Sequence, residues 1–263
     1  MNEMKVGWIG FGNMAKAMAQ GLIGSGSIAA DDLYACARDQ QKLAANTAAL
    51  GMHACKDSQE LVSCCDLEIV AVKPYQVKDV LMPLRDALQD KIVLSVAAGM
   101  PFDVYEELLA PDTAHISTIP NTPIAAQAGV IVCEARHSLN AKQLTAVKAL
   151  FDRCALLVFV DSEQLSVAGT ISGCGPAFAC MMVEALADAG VKHGLQRTQA
   201  YQLAAGMIKG SGALLLQSGE HPAALKDAVC SPKGTTIRGV AALEENGFRH
   251  ALIAAVDAAE QKE

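Results

Sequence analysis

Two short stretches of this chain carry residues whose types and spacing suit binding chemistry. Near the carboxyl end, Ser231 to Gly239 reads SPKGTTIRG: a helix-stopping Pro, a Gly, then two Thr hydroxyls that open a helix. Free N–H groups at a helix start, beside hydroxyls, make a small anion cradle. Near the amino end, Gly10-Phe-Gly12-Asn-Met-Ala15 follows an apolar run and opens a helical pattern. Gly10 allows a tight turn, and Gly12 lets a pyrophosphate approach the backbone. Ala15, in place of a third Gly, keeps helix close to strand. Alone this pattern is weak, but its strand–helix–strand setting predicts a dinucleotide site. One chain thus holds two cradles.

The second strand ends YACARD. An acidic residue at that tip would grip the ribose 2′-hydroxyl of NAD; here the tip offers Cys36, Ala37 and Arg38. Arg38 suits a 2′-phosphate, which predicts NADPH, with NADH as the alternative. The competing reading is a solvated Arg at a helix start, with Asp39 as N-cap. The next strands end at Ala71-Val-Lys-Pro74 and Ser95-Val-Ala-Ala-Gly99, and such tips line the ligand in an open α/β sheet. Lys73 suits a catalytic acid, a phosphate contact or a structural cation, and spacing does not rank these.

Reduction of a ketone needs a proton shuttle, usually His, Lys or Tyr. None of the six His lies beside a Gly-rich or carboxylate-bearing loop in a dyad-like setting, and most sit in charged surroundings and read as surface residues. No metal-ligand spacing and no nucleophile elbow is present. Cys174, between two glycines, has no evident His partner. A protonated imine is already electrophilic, so its reduction demands mainly position and a compatible field. Amide N–H groups and hydroxyls suffice for that, and SPKGTT supplies them.

The elements that must position these groups alternate in the first half of the chain. Strand-like MKVGWIG, DLYACAR, DLEIVAVKP and KIVLSVAAG are separated by helical segments, including residues 13–24. Apolar strands with little alternation predict a parallel sheet covered on both faces. TAHISTIPNTP, AGVIVCEAR and ALLVFV add strands, with a helix at about 140–151. From Asp161 onward no segment reads as a strand; 161–190, 197–218, 222–229 and 235–262 read as helices. The expected division is 1–160, a Rossmann-like α/β domain, and 161–263, an all-α domain.

The chain has 263 residues, 52% of them hydrophobic but only 4% aromatic, which favours helices and buried strands over an aromatic-rich sandwich. A net charge of -7 argues against a general nucleic-acid or membrane-surface role, while leaving room for a local basic pocket for an anionic ligand. No apolar run reaches about 18 residues without a charge, so no spanning helix is expected. A strand-like segment begins within the first few residues, so no signal peptide is expected. The nine Cys, without a C-x-x-C pair, read as small buried hydrophobes in a reducing cytosol. Gly169, Gly173 and Gly175, then Gly206, Gly210 and Gly212, sit in helical segments at a cost of about 1 kcal/mol each. Close helix packing or close approach to a ligand would offset it. A helical domain this apolar also implies packing between subunits.

GFGNMAKAMAQGL, AVKPYQV, SVAAG, PNTP, SGCGPAF, LADAGVKHGL and the long segment from SPKGTT to VDAA together resemble pyrroline-5-carboxylate reductase, in one order over residues 5–258. The last segment is the most specific. The resemblance implies NAD(P)H-dependent reduction of 1-pyrroline-5-carboxylate to L-proline, and helical domains that interlock as homodimers and assemble further. It implies that Ile9, Gly10, Phe11, Gly12, Asn13 and Met14 bind the pyrophosphate. Ser58 with Ala71, Val72, Lys73 and Pro74 would flank the adenosine and ribose, and Ala97, Ala98 and Gly99 the nicotinamide. Gly234, Thr235 and Thr236 would hold the substrate carboxylate, and Thr236 the ring nitrogen as hydrogen-bond partner or proton donor. Val229 and Ser231 would complete the pocket. No metal, nucleic acid or membrane is implied, and the expected location is the cytoplasm.

Three departures stand out. Ser117-Thr-Ile precedes Pro120 where the family often has Arg-x-Met. Cys174 and Phe178 replace hydroxyl residues of GSGPAY. Lys233 replaces a Gly of SPGGTT, which requires that this position not demand a positive φ. The main rival, a β-hydroxyacid dehydrogenase, relies on a Lys in the interdomain helix, and residues 163–185 contain neither Lys nor Arg. A cofactor-sensing regulator needs no second anion site.

Overall fold

A computed structural model describes residues 4–261. The chain divides into two compact units, Met1–Gly173 and Cys174–Glu263. The first is an eight-stranded sheet with helices on both faces. In chain order it runs β1 (Val6–Ile9), α1 (Asn13–Gly24), β2 (Leu33–Cys36), α2 (Gln40–Leu50), β3 (His53–Ala54), α3 (Ser58–Cys64), β4 (Leu67–Val70) and α4 (Pro74–Leu81). It continues with β5 (Ile92–Ser95), α5 (Phe102–Leu108), β6 (Ala114–Pro120), β7 (Gly129–Glu134), α6 (Ala141–Phe151), β8 (Ala155–Val160) and α7 (Leu165–Gly169).

The strand order is β3-β2-β1-β4-β5-β6-β7-β8. The order reverses between β1 and β4, which opens a crevice at their carboxyl ends, the site of dinucleotides in doubly wound sheets. Successive residues feed opposite cores. Trp8, Leu67, Ile69 and Leu94 join Met18 and Leu22 of α1 on one face. Ile9, Val70 and Val93 join Leu61, Val77 and Leu81 on the other. Helix starts are fixed locally: Asp39 accepts from Lys42 N (2.9 Å), Asp57 from Glu60 N (2.8 Å) and Asn140 from Gln143 N (3.0 Å).

The alternating strands up to β5 are parallel as expected, whereas the added strands β6 and β7 pair antiparallel. Residues 121–128 join them, too few for a parallel crossover, which takes about a dozen or more. Instead a 3-10 turn over Thr122–Ala126 packs on α1, where a side chain at Gly21 would collide with Ile124.

By its contacts the first unit extends past the end of β8 to Gly173. Residues 162–173 pack back on the sheet: the Ser162 hydroxyl donates to Glu134, the Asn121 amide donates to Ser172 O (2.9 Å), and Gly169 lies against Ile119. Turn chemistry at 160 marks the end of a strand, and this long-range packing is invisible at that level.

The second unit is helical: α8 (Gly175–Lys192), α9 (Arg197–Ser218), α10 (Pro222–Ala228), α11 (Thr235–Glu245) and α12 (Phe248–Glu260). The expected single helix over 235–262 is broken at Gly247, whose φ of 71° leaves the helical region. Within this unit only Ala187, Ala200 and Ala204 are buried among the described residues. Leu203, Met207 and Leu214 form an exposed stripe on α9 with Gly210 between them. Of the glycines expected to pack closely, Gly173, Gly175, Gly206, Gly210 and Gly212 have open space where a Cβ would stand. Ser162–Lys192 is a continuous helical run long and apolar enough to cross a membrane by length and composition. Residues 164–183 of it carry no charge, but Gln164, Ser166, Thr170 and Ser172 interrupt the apolar run, so it does not read as a spanning helix by strictly apolar length.

Candidate active site

At the carboxyl ends of β1, β2, β4 and β5 the first unit has a cavity of about 1050 Å³. Its floor is the turn after β1. Gly10 has a φ of 94°, and a Cβ there would stand 2.8 Å from both Ala71 O and Val72 Cγ1. The turn is pinned by Gly10 N donating to Cys36 O and Ala71 N donating to Ile9 O, both 2.9 Å. Gly12 is the N-cap of α1, makes no side-chain cap and has nothing within 4 Å of a Cβ position. The N–H groups of the first turn of α1 and its positive dipole end therefore face open space. Ala15 beneath is buried. These features fit a dinucleotide pyrophosphate.

The expected cofactor residues converge here. Ile9 to Met14, Arg38, Ser58, Ala71 to Pro74, Ala97 and Ala98 all line the cavity; Gly99, at a φ of 75°, does not. The 96–99 loop is held from below. Ser95 Oγ accepts from Ala97 N (3.1 Å) and shares a hydrogen bond with Tyr105 OH. Burial pushes the Tyr105 phenol up to about 12, so it stays neutral. Thr118 Oγ1 donates to Ser95 O (2.8 Å). Ser117, where the family often has Arg, is buried and donates to Met100 O (2.9 Å), so it braces this loop.

Sequence reasoning missed Gln76 and Thr122, which also line the cavity. Gln76 is the third residue of α4, and its place after Pro74 is the one signal that turns it back toward the loops. With its amide oxygen toward Arg38, Gln76 accepts from Nη1 (2.8 Å) and Nη2 (2.7 Å). In the opposite orientation the amide oxygen accepts from Lys73 N (3.3 Å), but the amide N–H groups then face the guanidinium donors; two shorter bonds to a charged donor outweigh that one long bond.

The carboxy-terminal stretch forms its turn within the second unit. Gly234 N donates to Ser231 O (3.0 Å), with Pro232 and Lys233 at the corners. Lys233 has a φ of 61°, so this position does take a positive φ, against expectation. Pro at the first corner and a left-handed second corner describe a type II turn. Gly234 is the N-cap of α11, and a Cβ there would collide with Ser231. Thr235 and Thr236 are the exposed first residues of α11, which has neither a side-chain cap nor an acid in its first turn. Ser231 and Val229 are exposed beside it. The turn is thus an uncapped helix start flanked by hydroxyls, the features of an anion cradle.

Two other expectations change. His115 is buried, stacked on Phe102, with Nε2 2.7 Å from Glu106 Oε1, so one His does pair with a carboxylate. It opens β6 at the strand's amino end, away from the tips that line the cavity. Cys36, Cys55, Cys65, Cys133 and Cys154 are buried as expected, and burial pushes the Cys36 thiol up to about 11 and Cys133 to about 12. Cys174 and Cys180, however, are exposed. No group of three or more His, Cys, Asp or Glu side chains that could hold a metal occurs among the described residues.

Residues 162–263 match the family model for pyrroline-5-carboxylate reductase dimerisation, and residues 5–99 that for NADP oxidoreductase, coenzyme F420-dependent. Pyrroline-5-carboxylate reductase of Treponema pallidum is 49% identical over 97% of this chain and 98% of its own length. That of Escherichia coli is 39% identical over 97% and 95%. The crystal structure of Plasmodium falciparum pyrroline carboxylate reductase with NADP bound covers 98% of this chain and 96% of its own, with a TM-score of 0.85 and 30% identity. The two cradles, the α/β unit with its helical partner and these near full-length likenesses place the chain in the pyrroline-5-carboxylate reductase family.

Proposed function

We infer that this chain reduces 1-pyrroline-5-carboxylate to L-proline, the last step of proline synthesis, with NAD(P)H held in the cavity of the first unit. The observation that carries the reading is the 49% identity to the Treponema pallidum reductase across nearly the whole of both chains. NADPH is the preferred donor in this proposal, supported by Arg38 at the cavity rim and by the absence of an acid at the tip of β2.

The bound cofactor supplies a hydride. The chain's own part is to bind and orient. The N–H groups that open α1 would hold the pyrophosphate, and Ala97 and Ala98, on a loop braced by Ser95, Ser117 and Thr118, would seat the nicotinamide. The uncapped start of α11 at Gly234, Thr235 and Thr236 holds the substrate carboxylate, with Ser231 and Val229 beside it. Thr236 hydrogen-bonds the ring nitrogen and delivers or steadies its proton. Because the protonated imine carbon is already electrophilic, no stronger acid is required.

The helical unit mediates homodimerisation. The exposed α9 stripe and the open glycines beside it suit a second copy of this chain. The Ser162–Lys192 run belongs to this proposal: its part in α8 carries exposed Met181 and Leu186, and α9, which packs against α8, carries exposed apolar residues of its own. Higher assembly, a cytoplasmic location and no membrane or nucleic-acid partner complete the reading. Incubation with NADPH and pyrroline-5-carboxylate, followed at the nicotinamide absorbance band, tests it. Oxidation with a β-keto acid or semialdehyde acid instead would favour a β-hydroxyacid dehydrogenase, and no oxidation with any of them a sensor.

A further inference from the structure

Arg38 is exposed, and a free arginine on a surface samples many rotamers before it meets an anion. Here it is not free. One oxygen of the half-buried Gln76 accepts from both Nη1 and Nη2, tying the β2 tip to the first turn of α4 across the mouth of the cavity. Two of the five guanidinium N–H groups are engaged and three remain for a ligand. The partner is neutral, so the arginine keeps its full charge. The nearby acids are occupied elsewhere: Asp39 caps α2 and Asp57 caps α3, and no carboxylate forms an ion pair with Arg38 among the described residues.

We propose that Gln76 is a positioning residue for cofactor selection: it presets the Arg38 guanidinium to receive the 2′-phosphate of NADPH. The proposal rests on the reading of Arg38 as the partner of that phosphate. A planar fork held in place gives up less freedom when the phosphate arrives, so the gain falls on the 2′-phosphate and not on the rest of the dinucleotide.

The test is binding of cofactor fragments by calorimetry, without turnover. 2′,5′-ADP carries the 2′-phosphate, and 5′-AMP lacks it. Arg38→Ala should reduce the affinity for 2′,5′-ADP toward that for 5′-AMP. Gln76→Ala should weaken 2′,5′-ADP by roughly 3- to 10-fold, the scale of one side chain that must be ordered on binding, and leave 5′-AMP unchanged. Gln76→Glu, nearly identical in shape, should weaken 2′,5′-ADP further, because its charge pairs with Arg38 and repels the phosphate. If Arg38→Ala is selective but neither Gln76 variant is, Arg38 keeps its role and the proposal for Gln76 fails. Equal weakening of both fragments by Gln76→Ala makes Gln76 merely structural and also overturns it. If Arg38→Ala leaves the ratio of the two affinities unchanged, the reading of Arg38 fails and the proposal falls with it.

Discussion

Glu68 sits in the middle of β4, between Gly7 of β1 and Val93 of β5, with no solvent exposure. It points to the same side of the sheet as Val70, and neither carboxyl oxygen has a hydrogen-bond partner. Burial pushes its carboxyl from 4.5 to about 8, against a smaller opposing pull from Lys91. The folded protein therefore holds a proton on Glu68 at neutral pH that the unfolded chain releases above about pH 4.5. Stability from this group is fully present below that value. It declines as pH rises and is lost through pH 8. At about 1.4 kcal/mol per pH unit over the window between the two values, the loss is on the order of 5 kcal/mol. Glu68→Gln keeps the shape and removes the titration. The amide is also buried without a partner, so near pH 5 the two proteins should be similarly stable. At pH 8.5 the variant should be more stable by several kcal/mol, of the order worked above. Urea unfolding of both proteins at pH 5, 6.5 and 8.5, at one protomer concentration, measures the difference. Parallel pH dependences for the two proteins would refute the reasoning, because they would mean that Glu68 is ionised in the fold or reaches water.

Three further outcomes are expected. Thr236→Ala should weaken turnover and substrate binding by about 1–3 kcal/mol, the cost of an unpaired polar partner, while NADPH affinity by fluorescence titration stays near wild type. Equal loss of both would assign the turn to the cofactor. Lys233→Gly should relieve a non-glycine residue at positive φ and stabilise the protein by up to about 1 kcal/mol in denaturant unfolding; a destabilised variant would show that the lysine side chain does more than occupy the turn. Leu203→Glu with Leu214→Glu should shift the protein from dimer to monomer in sedimentation velocity, whereas an unchanged dimer would move the interface off this face of α9.

Local chemistry made much of this protein legible in its sequence. Gly10, Gly12 and Ala15 state their roles through spacing, because a turn that only glycine tolerates and a helix packed on a strand are short-range facts. Asp39 announces the cap of α2 in the same way. Apolar runs and their lengths gave the alternating unit and the helical one. What required the tertiary structure were matters of who meets whom across the chain. The antiparallel β6–β7 pair follows from the length of one link and its packing on α1. The closeness of residues 162–173 to the sheet depends on Asn121 and Glu134, far away in sequence. The pairing of His115 with Glu106 and its stacking on Phe102 arise only because β6 carries it inside beside them. Gln76 acquired a role only when the loop after β2 and the start of α4 converged on one cavity. A sequence pattern reports the backbone conformation and the apolar face of each segment, but a buried polar pair or an oriented guanidinium depends on the folding of distant segments onto each other.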